Sequence, residues 1–420
     1  MGKHLAVNDL FASAKDAWKT SHGLDRILLC FWLMGPWFFL IERSPADAWI
    51  SLVGLSFLIR SGCTGDWNWL QLRWVKATGV FVLAMVISSC FSSLASFAIK
   101  ESLIWIRFPL YAVAAAYWLG RSPGRLALML ISMALAAMIM SGILLHEIWL
   151  NPQKIRLEGP YGDFVPGTFL GKSMLPLAVV TTVLTMRAPF VRGVFIGLIP
   201  FGVLIMTLLT SERMNTGVMA MAIILSALFS HAGWQKILAY AVLGIIGTAF
   251  IFLIKGDTVF IRTFVDTGNQ VGDYFNSGYW GSVRPGVIAA MEYPWTGIGV
   301  GTFRSICPNL PDYVDILPGV SGCHPHNHQF YIQMMAEGGV FTLIAGVIMV
   351  ISILFAGRGK MITSGWMQGI RPWVIPFVVL MPQTNADFFG QWHNCFMWFS
   401  IGFAMALAEV MRRKGIATTS

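Results

Sequence analysis

Apolar runs long enough to cross a bilayer alternate with short polar breaks along most of the chain. A membrane helix needs about 20 apolar residues, and the pattern predicts spans at 26–42, 46–60, 77–98, 103–119, 124–146, 170–187, 193–210, 214–231, 236–254, 339–356, 371–386 and 391–411. Twelve transmembrane helices are thus expected. The fold class is an all-α polytopic membrane protein, with residues 1–420 forming a single integral membrane domain. No internal repeat and no low-complexity tract divides it.

Composition narrows the choice further. The chain is 56% hydrophobic and only 12% charged, whereas a soluble domain carries about 25% charged residues. Soluble nucleotide-binding enzymes, disordered regulators and secreted disulfide scaffolds are excluded. A net charge of +9 would ordinarily raise the question of a nucleic-acid partner, but in a membrane protein the placement of Lys and Arg comes first. Lys3, Lys15, Lys19 and Arg26 precede a long span, and no small-residue cleavage site follows it. With the N-terminus in the cytoplasm, 18 of the 29 Lys and Arg fall on the cytoplasmic side. Both termini are then expected inside, and no nucleic acid is expected as partner.

Two outer segments are longer than tight turns, 147–169 and the 84 residues of 255–338 between the ninth and tenth spans. A loop of that length in a compact protein is usually functional. It holds three of the eight histidines within five positions, so the chemistry is expected there. It also holds Cys307 and Cys323, separated by 15 residues. In an oxidising compartment these two can close a disulfide worth about 3 kcal/mol by chain-entropy reasoning. Zinc held with His324 and His326 is the alternative, against which stands the lack of any recognised zinc spacing. The other four cysteines sit in or beside spans.

The densest polar cluster reads His324-Pro325-His326-Asn327-His328-Gln329. Asn327 is expected as an N-cap, which places His328 in the first helical turn, and Gln329, Gln333 and Glu337 follow at four-residue spacing as a polar stripe. The positive end of a helix disfavours imidazolium, so His328 is expected neutral and able to act as a base. Capping, headgroup contact, or a metal site from His324 and His328 are the competing readings. Arg213 in TSERMNTG and Arg284 in GSVRPGVIAAMEYPWTGIGVGTF lie on the outer face, where positive charge is sparse. Arginine suits bidentate capture of phosphate oxygens; pairing of Arg213 with Glu212 is the bland alternative. The run Gly297-Ile298-Gly299-Val300-Gly301 lacks the strand–helix context of a dinucleotide site and reads as a tight turn. Gly171-Lys172-Ser173 likewise lacks the rest of a phosphate loop.

From His328 the chain resembles the signature of O-antigen ligases of the WaaL type: His, then Asn, Ser or Gln, nine residues, Gly, two residues, then Gly, Thr or Tyr. Here it runs His328-Gln329, FYIQMMAEG, Gly339, Val340, Phe341, Thr342. Starting at His326 puts Glu337 where the glycine belongs, so His328 is the better match and His326 the second candidate. Arg284 to Ile288 resembles the family's Arg-x-x-x-Leu element, with Ile for Leu, and EYPWTGIGVGTF resembles the Pro-x-x-Gly-x-Gly stretch after it. Arg213 resembles the arginine of a Ser-Arg or Ser-x-Arg motif. These motifs cover about 130 positions.

The resemblance implies a glycosyltransferase of the GT-C type in the bacterial inner membrane, with its active site facing the periplasm. It would move O-antigen polysaccharide from undecaprenyl diphosphate to lipid A–core oligosaccharide in lipopolysaccharide biosynthesis, with inversion and without metal or other cofactor. His328 would be the general base and Arg213 and Arg284 the diphosphate ligands, with Arg156 and Lys172 as weaker candidates on the same side. An O-antigen polymerase and a protein O-oligosaccharyltransferase are the neighbouring alternatives. A transporter is the alternative from another class, disfavoured by the scarcity of ionisable residues within spans.

Overall fold

The computed structural model describes residues 6–163, 165–230, 232–255, 260–310, 327–358, 365–383 and 387–417. Every element among them is helical. Seven helices are long and apolar enough to cross a membrane, or eight if the bent pair Pro166–Ser173 and Leu175–Arg187 is one span. Each of the twelve apolar runs contains at least one helix.

Several runs differ from single straight spans, for local reasons. The run at 26–42 is two helices, Gly23–Leu33 and Gly35–Ile41, with Pro36 in the first turn of the second. Proline is tolerated there because it lacks an N–H that would in any case be unpaired. The run at 77–98 is divided between Arg73–Cys90 and Ala95–Ile104. Pro166–Ser173 meets Leu175–Arg187 at a 51° bend, with a π-helical turn at Phe169–Ser173 before it and Pro176 just after it. In 371–386 only Val374–Leu380 is a helix among the described residues.

The C-terminal helix Gln391–Ala417 is the centre of the bundle. From Cys395 to Ala408 it is buried all round and apolar but for Ser400, with Phe396, Trp398, Phe399, Ile401, Phe403 and Leu407 among the buried residues, as expected for a helix enclosed by others. Gly402 lets it lie close to the helix Arg107–Trp118, where a Cβ would come within 2.8 Å of the Tyr111 ring. Trp105 packs edge-on against Trp398 at 5.5 Å. By contrast, the helix Phe330–Ala356 exposes Ile344, Ile348, Ile351 and Phe355 along one stripe. A stripe of that kind is disfavoured in water and suits contact with lipid.

The segment 255–338 carries more helix than its Gly, Pro and Asn content indicates. It includes Ile261–Val265, Asp266–Gly272, Gly278–Glu292 and Phe303–Ile306, and the next long helix already begins at Phe330.

Candidate active site

Arg213 opens the helix Arg213–Leu228, directly after a turn through Thr210, Ser211 and Glu212. Ser211 has φ 60°, the one non-glycine with positive φ among the described residues. That conformation costs of order 1 kcal/mol or more for an L-residue and persists where the surroundings hold it. Here the Ser211 hydroxyl donates to the Ile155 carbonyl at 2.6 Å, and Gly167 packs so close that a Cβ would overlap Glu212 and Thr210. The turn sends neighbouring side chains to different partners. Glu212 pairs with Arg156, not with Arg213. The Arg213 guanidinium donates to Thr267 Oγ1 at 3.1 Å and Gln270 Oε1 at 2.9 Å and lies 5.5 Å from the Tyr279 ring centroid.

A third guanidinium completes this cluster. Arg262, in the π-helical turn Ile261–Val265, donates to the Ser211 carbonyl at 3.4 Å. Its pKa is lowered first by burial and then by the positive charges of Arg156 and Arg213, with Glu212 acting in the opposite direction. Arg156, Arg213 and Glu212 therefore all sit within electrostatic reach of Arg262. Sequence reasoning missed Arg262 because no motif surrounds it; only the fold brings 262 beside 156 and 213.

Tyr279 and Arg284 belong to one helix, Gly278–Glu292, capped by the Ser277 hydroxyl accepting from Trp280 N. Arg284 is half-buried on it. The histidine segment is fastened to this helix by Asn327. Its buried side chain donates from Nδ2 to the Val283 carbonyl at 3.1 Å, on the backbone unit that joins residue 283 to Arg284. Gly286 makes the approach possible, since a Cβ there would overlap the Asn327 amide.

One expectation is corrected at this point. Asn327 does not cap the helix; Gln329 does, its side-chain oxygen accepting from Ile332 N at 2.6 Å, while Asn327 Oδ1 accepts from Gln329 N at 3.1 Å. Asn327 is occupied with the Gly278–Glu292 helix, and the cap falls to the residue two positions on. His328 consequently lies one residue before the cap and not in the first helical turn, half-buried between Asn327 and the cap. His324, His326 and Cys323 lie outside the described residues. Cys307 is buried and disulfide-bonded, whereas Cys30, Cys63, Cys90 and Cys395 are free.

Lys172 proves unlike a phosphate ligand. It is fully buried, with Nζ 2.8 Å from Nε2 and 3.2 Å from Nδ1 of His393 and 5.9 Å from the Phe330 ring centroid. Phe330 begins the helix that follows His328, so the buried Lys172 and its half-buried partner His393 lie against that helix start.

The glycines of the motif have a geometric reason. Gly339 breaks the helix Phe330–Ala356 with φ 72°, and a Cβ there would overlap the Trp295 carbonyl. The turn 294–301 lies across this break. Ile298 N donates to the Ala336 carbonyl at 2.9 Å, Gly299 N to the Glu337 carbonyl at 2.8 Å, and Val340 N to the Pro294 carbonyl at 2.9 Å. The freed backbone groups thus find new partners, as burial in a membrane protein requires. Gln333 and Glu337 complete the polar stripe: Gln333 Nε2 donates to Glu337 Oε1 and Asp387 Oδ1, each at 2.7 Å, and Gly301 N donates to Glu337 Oε2. A cavity of about 190 Å³ beside them is lined by Glu101, Glu337, Asp387 and Gln391 among others.

Gly339→Ala is expected to destabilise the protein by about 3 kcal/mol or more, because it combines a positive φ with a clash against backbone. Thermal unfolding in detergent should show a lower midpoint than for Gly142→Ala, a glycine with open space around it. Equal midpoints would contradict the interlocked break. No protein-family model matches the chain, and no curated protein matches it.

Proposed function

We propose that this chain is a lipid-linked glycan transferase, an O-antigen ligase that moves O-antigen polysaccharide from undecaprenyl diphosphate to lipid A–core oligosaccharide at the periplasmic face of the inner membrane. The proposal includes the twelve-span, GT-C-like arrangement with both termini cytoplasmic. The observation that carries it is the gathering of Arg156, Arg213 and Glu212 about Arg262, beside the helix of Arg284 to which Asn327 fastens the His328 segment.

Such an arrangement suits transfer from a lipid diphosphate. The acceptor hydroxyl gives its proton to His328 as its oxygen attacks the anomeric carbon. The bond from that carbon to the diphosphate oxygen breaks with inversion, and the undecaprenyl diphosphate leaves with one more negative charge. Guanidinium groups placed in advance stabilise that charge without reorganisation. The donor is already activated, so no nucleotide and no cofactor is needed. The long hydrocarbon tails of both substrates explain why a membrane bundle with an exposed apolar stripe hosts the reaction.

Arg284→Lys keeps the charge but loses the planar fork, and lipopolysaccharide capping, read on gels at matched membrane levels, should fall at least about tenfold; capping at the wild-type level would argue against bidentate capture. Transfer should also be insensitive to EDTA, and a loss restored by zinc would overturn the metal-free reading. Ligase and polymerase are separated by the undecaprenyl-linked glycans of cells lacking the protein. Long chains are expected, whereas single repeat units would make the protein a polymerase.

A further inference from the structure

A cavity lined in part by arginine lies near the other end of the helix that carries Glu147. The helix Pro123–Leu150 has Arg125 at one end and Glu147 at the other, about 33 Å apart at 1.5 Å per residue. Glu147 accepts from the backbone N–H groups of Glu158 and Gly159, close to Arg156 and the site described above. Arg125 points to different company. It pairs with Asp25 at 2.7 Å and lies 4.1 Å over the Trp118 ring, beside a cavity of about 400 Å³ between the helices Gly23–Leu33, Arg43–Thr64 and Arg107–Trp118.

The cavity has an apolar floor and a cationic rim. Leu24, Leu28, Trp32 and Phe57 line it, and Trp32 stacks on Trp118 with centroids 5.4 Å apart. At its rim two guanidinium groups share one phenol: Arg60 lies 4.0 Å and Arg121 4.7 Å from the Tyr117 ring centroid, and both donate to its hydroxyl. The carboxylates nearby are already taken. Asp66 pairs with Arg60 at 3.3 Å and Asp25 with Arg125, so Arg121 has no carboxylate partner among the described residues. Leu24 is 70% exposed, so the cavity opens outward at that edge, while Trp32 and Phe57 form its buried inner wall.

We infer that this cavity is a binding site for an anionic glycerophospholipid, whose phosphate meets Arg121 and Arg60 and whose acyl chain lies along Leu24, Leu28, Trp32 and Phe57. Charge complementarity identifies the occupant. A free anion has no use for the apolar floor, a zwitterionic lipid brings an ammonium toward an unneutralised arginine, and basic pockets between membrane helices are where acidic headgroups bind. The site is separate from sugar transfer and does not depend on that reading.

The test is native mass spectrometry of the full chain in detergent, titrated with phosphatidylglycerol or phosphatidylcholine of equal chain length. Phosphatidylglycerol should be retained preferentially, and Arg121→Ala should weaken it about fivefold, the value of one basic residue near an acidic lipid surface. Ser56→Phe leaves every charge in place but puts a ring on the cavity wall, and should weaken retention of the same bound lipid; it keeps the test decisive if Arg121→Ala folds poorly. Arg192→Ala, away from the cavity, should change nothing. Equal retention of the two lipids, a preference untouched by Ser56→Phe, or displacement by equimolar inorganic phosphate would overturn the assignment.

Discussion

His328→Ala should reduce transfer by about 10²- to 10⁴-fold, the usual worth of a positioned general base, with the protein folded and present at normal levels in the membrane. The fold should survive because two groups that hold this segment are its neighbours. Asn327 is fastened to the Val283 carbonyl, and Gln329 caps the following helix. Removing the imidazole removes neither. The signature of the loss is therefore kinetic, with donor binding retained while turnover falls. Asn327→Ala should act differently, loosening the segment and lowering thermal stability along with activity. Unchanged transfer by His328→Ala would remove the base from the proposed reaction.

Replacing Arg213 and Arg262 together by Ala should be at least as severe. Loss of one donor aimed at developing negative charge costs about 10² to 10³ in turnover. The two groups flank the same turn, Arg262 on the Ser211 carbonyl and Arg213 at the head of the next helix, so their losses are expected to be non-additive. Arg156→Ala has a different expectation. Its partner Glu212 would be left beside the two remaining guanidinium groups and would neutralise part of their charge. Transfer measured at several donor concentrations separates these effects: Arg156→Ala should chiefly raise KM, and the double variant should chiefly lower kcat. Wild-type turnover by the double variant would contradict a diphosphate role for this cluster.

The membrane character and the helical class were legible because hydrophobic length is a local property, read residue by residue along the chain. Helix breaks were less so. Gly339 stands at the start of the apolar run 339–356, and its need for positive φ becomes visible only once the 294–301 turn lies across it. Capping is hidden from the sequence for a similar reason: Asn327 is a good cap by type, but its amide is claimed by a helix more than forty residues upstream. Arg213 and Arg284 could be picked out as cations on a face poor in them. Arg262 could not, since its meaning comes from two arginines distant in sequence. Lys172 is a weaker phosphate candidate by its side of the membrane alone, and burial against His393 gives it a different setting.

The most direct measurement is transfer in proteoliposomes holding only the purified protein, labelled O-antigen on undecaprenyl diphosphate, and lipid A–core. The account predicts labelled lipopolysaccharide, one undecaprenyl diphosphate released per chain transferred, and near loss of both with His328→Ala. Absence of transfer by the wild-type protein, or equal transfer by His328→Ala, would contradict it.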